Sequence, residues 1–156
     1  MGSAVSVWLR STSGPAEYPA LVRIWRSAVD ATHQFVNAEH LDQIEAKLPT
    51  DYLPNVELTV AEVEGAVAGF SGVGDDGLEM LFVDNDFRGR GVGTILLEAA
   101  LAHSPALTLD VNEQNDAAVQ FYQSKGFIRV GRSRVDADGL PYPLLHMKFG
   151  GSGAQQ

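Results

Sequence analysis

The run Arg88-Gly89-Arg90-Gly91-Val92-Gly93-Thr94 places arginines among glycines where a short apolar segment, Leu78 to Val83, gives way to an amphipathic one. Glycine lets a backbone come close to a ligand. The free N–H groups at a helix start, with the positive end of the helix dipole, suit a pyrophosphate. Arg88 and Arg90 can add charge-assisted hydrogen bonds to phosphate oxygens, about 1.5 to 3 kcal/mol each where partly desolvated. Taken alone, the segment reads equally as a tight turn with solvated arginines. Two other phosphate loops are excluded. A dinucleotide fingerprint would need glycine where Thr94 stands, and a Walker A loop needs a lysine that this segment lacks.

Downstream, Tyr122 follows Phe121 in a second amphipathic segment. A phenol can donate a proton or a hydrogen bond to a leaving group. Read for structure alone, the Phe121-Tyr122 pair is the buried edge of a helix. Asp110, Glu79 and His33 are candidate proton acceptors. Glu79 could act through water or sit on a solvated strand face, and His33 could be a base, a substrate contact or the cap of a helix end. His40, His103 and His146 have no metal-ligand spacing with one another or with carboxylates, so no metal is expected. The chain has no cysteine, which removes disulfides, thiolate metal sites and cysteine nucleophiles.

The elements that must hold these residues follow from hydrophobic period. Val5, Val7 and Leu9 alternate as a strand does. After Pro15, Leu21, Ile24, Trp25, Ala28 and Val29 fall at helical spacing. A weaker helix carries Leu41, Ile44 and Leu48 and stops by Pro49 or Pro54. Val56 to Val63 and Ala66 to Gly72 read as strands turning at Glu64-Gly65, with another turn at Gly74 to Gly77 before the strand Leu78 to Val83. Val92, Ile95, Leu96, Ala99 and Ala100 form one helix face, Pro105 ends that helix, and Leu107, Leu109 and Val111 make a strand. Asn115 caps a helix that Gly126 closes. Phe127 to Val130 and Leu144 to Phe149 are the last strands, around the turn-rich segment 136–143. The order β-α-α-β-β-β-α-β-α-β-β is that of a mixed α/β sheet protein.

With 156 residues, 45% of them apolar and 20% charged, the chain fits one globular domain. Its 20 acidic residues against 11 Lys and Arg give a net charge of -9. That charge opposes nonspecific binding to nucleic acid or anionic membrane and favours cationic partners. No apolar stretch approaches a membrane span and the N-terminus carries no signal-peptide pattern, so the cytoplasm is the expected compartment.

Arg88, Gly91 and Gly93 match R-x-x-G-x-G. Asn115, Ala118, Phe121, Tyr122, Gly126 and Phe127 stand at the spacing N-x-x-A-x-x-[LF]-Y-x-x-x-G-F. Both motifs in this order, with the expected elements between them, resemble the GNAT superfamily of acetyl-CoA-dependent N-acetyltransferases over about residues 5 to 149. Ser27 to His33, Val111 to Asn115 and Pro141 to Leu145 are similar to its bacterial YjaB-like subgroup.

Length and resemblance together imply a single domain over 1–149, and residues 150–156 read as a flexible tail. The domain's sheet would be mixed and mostly antiparallel, with about seven strands and about four flanking helices. The resemblance further implies that the sheet splays after Leu78 to Val83, and that acetyl-CoA is held by Leu81, Phe82, Val83, by Arg88, Gly89, Arg90, Gly91, Val92, Gly93 and Thr94, and by Asn115. Tyr122 would face the coenzyme sulfur as general acid. Asp110 stands where some ribosomal-protein N-terminal acetyltransferases of the superfamily carry a catalytic glutamate. The expected reaction is direct acetyl transfer to a primary amine on a small molecule, a lysine or an N-terminus. The acceptor would be cationic, drawn by Asp30, Glu79 and Asp110, with Asp110, Glu79, His33 or water as base. The rival reading is a noncatalytic acyl-CoA sensor or partner-binding module, against which the intact Tyr122 argues. Monomer and homodimer are both open, the latter through Leu144 to Phe149 pairing as an edge strand.

Overall fold

In the computed structural model, residues 6–32 and 36–151 are described, so Val5 and His33 lie outside the described residues. Chain order gives β1 (Val7–Ser11), α1 (Tyr18–Thr32), α2 (Ala38–Lys47), β2 (Glu57–Val63), β3 (Ala66–Gly74), β4 (Gly77–Val83), α3 (Val92–His103), β5 (Thr108–Asn112), α4 (Asp116–Ser124), β6 (Phe127–Ser133) and β7 (Leu144–Phe149). This is the expected element order. Pro49 ends α2, but the chain then continues through short helical turns, Leu48–Tyr52 and Leu53–Asn55, before β2 begins.

The strands form one seven-stranded sheet in the order β1-β2-β3-β4-β5-β7-β6. Every neighbouring pair is antiparallel except β4 and β5, which run parallel. The β2–β3 hairpin turns at Glu64 and Gly65, both with positive φ (52° and 82°), whose twist matches that of the strands. β7 lies between β5 and β6, so the expectation that Leu144–Phe149 is an edge strand is corrected: the edges are β1 and β6. The longer β6, which pairs β7 out to Ser133, covers the side that Leu144–Phe149 would have exposed.

α1 packs one face of the sheet, because its stripe Leu21, Ile24, Trp25 and Val29 meets Leu58, Val60, Phe70 and Met80 in a continuous apolar cluster. Burial of each large side chain contributes about 1.5 to 3 kcal/mol. α3 lies on the opposite face and serves both halves of the sheet. Val92 and Leu96 pack on Ala61, Val63 and Ala68, whereas Leu97 and Ala100 join Leu107, Leu109, Val111, Phe127 and Met147. Leu97, fully buried, lies outside the stripe read from sequence. A helix that straddles two core clusters is apolar over a wider arc than one stripe.

β4 and β5 pair at only two positions, Gly77 with Thr108 and Leu78 with Leu109. The register of β4 against β3 slips at the same place, since Val73 pairs Leu78 while Gly72 pairs Met80, leaving Glu79 as the extra residue of a bulge. A bulge bends its strand and raises its twist. From Glu79 onward β4 therefore stays with β3 and diverges from β5. The parting opens within the strand, earlier than its expected end at Val83.

Candidate functional site

The parted strands enclose a cavity of ≈ 500 Å³. β4 supplies one wall from Leu78 to Val83, β5 the other from Leu109 to Asn112, and the starts of α3 and α4 close the end. Of the residues singled out from sequence, Leu81, Phe82, Val83, Arg88, Gly89, Gly91, Val92, Gly93, Thr94, Asp110, Asn115 and Tyr122 all line it. Arg90 does not. Its guanidinium lies over the Phe87 ring, 5.3 Å from the centroid.

The loop before α3 is shaped by its own polar groups. Asp84 caps the turn Asn85–Phe87 by accepting from the Asp86 amide at 2.9 Å. Ser27 of α1 donates its hydroxyl to Asp84 (3.3 Å) and accepts from the Asn85 amide (3.1 Å), tying the loop to the helix beneath it. Gly91 then takes the left-handed conformation, φ 81°, at the N-cap of α3, where no side chain caps the helix. The first-turn amides of Val92, Gly93 and Thr94 are thus left without a side-chain partner, beside a cavity that admits an anion. A Cβ at Gly91 would meet no atom within 4 Å, so it is the backbone angle that calls for glycine. Arg88 is exposed and makes one hydrogen bond at 3.3 Å to Asn85, leaving donors for a ligand.

Asn115 spends its side-chain oxygen on capping α4, accepting from the Ala118 amide at 3.2 Å. Tyr122 packs edge-on to Phe121 and Phe127, with centroids 5.3 and 5.7 Å away. Burial among these rings pushes its phenol above the ordinary value, so the group is a protonated acid at neutral pH. Among the described residues no buried side-chain oxygen lacks a partner, and no protein group bonds this hydroxyl. Tyr122 lines the cavity with that hydroxyl unspent.

Asp110 and Glu79 face one another's charge across the parting. Loss of solvation raises the Glu79 carboxyl above its usual range, and the negative charge of Asp110 raises it further. Glu79 is largely exposed at the cavity mouth, so the effect is one of partial shielding rather than of a buried acid. Asp110 accepts a 2.6 Å bond from His146 Nδ1, a partner that sequence spacing did not indicate. Asp30, expected near the cleft, is taken up by Arg26 at 2.9 Å and does not line the cavity. Sequence reasoning also missed Ser27, whose role depends on a fold-dependent approach of α1 to the loop.

Known proteins share this fold. Residues 26–149 match the acetyltransferase (GNAT) domain family. Peptidyl-lysine N-acetyltransferase YjaB of Escherichia coli K12 is 46% identical over 133 residues, covering 85% of this chain and 90% of that protein. The solution structure of apo-form YjaB from Escherichia coli superposes with a TM-score of 0.86 at 42% identity, covering 94% of this chain and 99% of the other. The PaiA N-acetyltransferase of Thermoplasma acidophilum, solved in complex with coenzyme A, shares the fold at a TM-score of 0.73 and 16% identity, over 92% and 99% of the two chains. With the two motifs lining one parted-sheet cavity, these likenesses establish that the chain belongs to the GNAT family and is an N-acetyltransferase.

Proposed function

We propose that this enzyme moves an acetyl group from acetyl-CoA directly to a primary amine, with the lysine side chain of a protein or peptide as the leading acceptor class. The observation that carries the reading is the parting at Glu79, which turns one edge of β4 and the uncapped first turn of α3 toward the same cavity. The residues fit the coenzyme. The amides of Val92, Gly93 and Thr94 with Arg88 suit its pyrophosphate, while the free edge at Leu81, Phe82 and Val83 offers main-chain partners for an amide-bearing arm. Acetyl-CoA supplies an activated thioester. Main-chain amides of Leu81 to Val83 polarise the carbonyl, and the protonated Tyr122 gives its proton to the departing sulfur.

A free lysine amine is deprotonated only about once in a thousand near neutral pH, so its proton must be taken before attack. Asp110, which lines the cavity, takes it directly or through water. The acidic pair Asp110 and Glu79 with the net charge of -9 favours a cationic acceptor, which is the protonated lysine that arrives. The peptidyl-lysine activity named for the Escherichia coli relative supports this choice of acceptor.

The test is thiol release from acetyl-CoA in the presence of lysine peptides, N-terminal peptides, polyamines and neutral amines. Turnover fastest with lysine peptides and weakened by salt is expected. Coenzyme binding with no turnover on any amine would replace the reading with a noncatalytic acyl-CoA sensor.

A further inference from the structure

On the face of the sheet opposite Leu109, Val111, Leu145 and Met147, a side-chain line crosses three strands. Asp110 Oδ1 of β5 lies 2.6 Å from His146 Nδ1 of β7, and His146 Nε2 lies 2.7 Å from the Ser133 hydroxyl at the end of β6. Asp110 and His146 are directly paired in the β5–β7 register, and Gly131 is the residue of β6 opposite His146. A Cβ at Gly131 would sit 3.3 Å from the imidazole Cδ2, so glycine there keeps the slot for the ring open.

We propose that His146 is a positioning residue for the acceptor site: it fixes the Asp110 carboxylate so that the second oxygen faces the cavity, and Ser133 steadies the ring that does so. A separation of 2.6 Å between a ring nitrogen and a carboxylate oxygen requires a proton between them. In the neutral ring that proton is on Nδ1, which leaves Nε2 bare to accept from the Ser133 hydroxyl. Asp110 Oδ1 is thereby engaged and Oδ2 remains. When the ammonium of the acceptor meets Oδ2, its N–H bond breaks, an O–H bond forms on Asp110, and the electron pair stays on nitrogen for attack. His146 keeps its own proton throughout. Among the described residues, no other charged group makes a hydrogen bond or ion pair to this line, and Glu79 acts on Asp110 only through its charge. Arg132 of β6 is held by Glu113 at 2.8 and 2.9 Å, Lys148 is exposed two residues further along β7, and Glu79 lies across the parting.

This inference rests on the amine-acetylation reading, and its test separates the two. Leucine at 146 removes the donor, whereas asparagine returns an N–H close to the Nδ1 position. His146→Leu is expected to lower kcat/KM for a lysine peptide about tenfold to a hundredfold, the scale of a misplaced reacting group, with KM for acetyl-CoA unchanged. His146→Asn is expected to stay within about threefold of wild type, because the donor to Oδ1 is restored. Equal impairment of both variants, or an effect confined to the KM of acetyl-CoA, would overturn the assignment. The imidazole nitrogens of His146, read by NMR at pH 8 in the unmodified protein, give an outcome that needs no turnover. Nδ1–H as the neutral tautomer, reverting toward Nε2–H in Asp110→Ala, is expected, and Nε2–H in the wild type would refute it. Should the wild type acetylate no amine, the functional reading falls while the tautomer still decides the arrangement.

Discussion

The two halves of the sheet solve different problems. From β1 to β4 each strand is hydrogen-bonded along most of its length, α1 and α3 cover both faces, and Arg10 staples β1 to Glu62 of β2 and to Glu17 before α1. From β5 to β6 one face is packed under α3 and α4, and the other is left open with Asp110, His146 and Ser133 upon it. The cavity is the seam between a half built to be rigid and a half built to present side chains. Preorganised chemistry of this kind needs a rigid wall to work against. The contrast predicts that substitutions in the first half change stability and those at the seam change rate.

The largest expected effect is at the seam. Tyr122→Phe keeps the ring that packs on Phe121 and Phe127 but removes the proton donor, so kcat is expected to fall about 10² to 10⁴-fold with coenzyme affinity and melting temperature nearly kept. Near-wild-type turnover would remove Tyr122 from the mechanism. The complementary change is Leu21→Ala, which hollows the core under α1, where Leu21 is fully buried. It is expected to cost about 2 to 5 kcal/mol in denaturant unfolding, with kcat nearly unchanged at a temperature where the protein stays folded. A rate loss as large as that of Tyr122→Phe would erase the distinction between the halves.

How much of this was legible in the sequence depends on the range of the interaction. The stripe Leu21, Ile24, Trp25, Val29 and the alternation Val7, Leu9 are local patterns that burial enforces, and both face the core as expected. The glycine loop and Tyr122 could be read because motif spacing carries them. The Glu79 bulge could not, since it depends on how β3 and β4 register after their turn. The Asp110–His146–Ser133 line was equally invisible: its members are 36 and 13 residues apart and meet only because β7 inserts between β5 and β6. The same insertion overturned the reading of Leu144–Phe149 as an edge. Leu97 was missed because α3 serves two core clusters at once.

A smaller effect belongs to the staple of the rigid half. Hydrogen bonding to Arg10 holds the Glu17 carboxyl down at about 2, against 4.5 unpaired. A depressed acid contributes stability above its unfolded value and loses it as pH falls through the folded one, so this contribution disappears between about pH 5 and pH 2. After allowance for partial solvent screening of Arg10 it is about 1 to 2 kcal/mol. Urea unfolding at pH 7 and pH 3 should show the difference between wild type and Glu17→Gln shrinking as pH drops. A difference that stays constant with pH would assign Glu17 a packing role. Of similar size is Arg88→Ala, expected to weaken coenzyme A binding about tenfold, or about 1.4 kcal/mol, without altering unfolding. Calorimetric titration showing unchanged affinity would leave the first-turn amides of α3 as the whole phosphate site.

The central claim is that the coenzyme seats in the parting of β4 and β5, and titration of isotope-labelled protein with coenzyme A, followed through its backbone amide resonances, tests it most directly. The account predicts that the amides of residues 79–83 and 92–94 move together along one saturable curve while those of β1 and β2 stay still. Saturable shifts confined to the proline- and tyrosine-lined groove at Pro15, Tyr18 and Val22, with residues 79–83 unmoved, would contradict it.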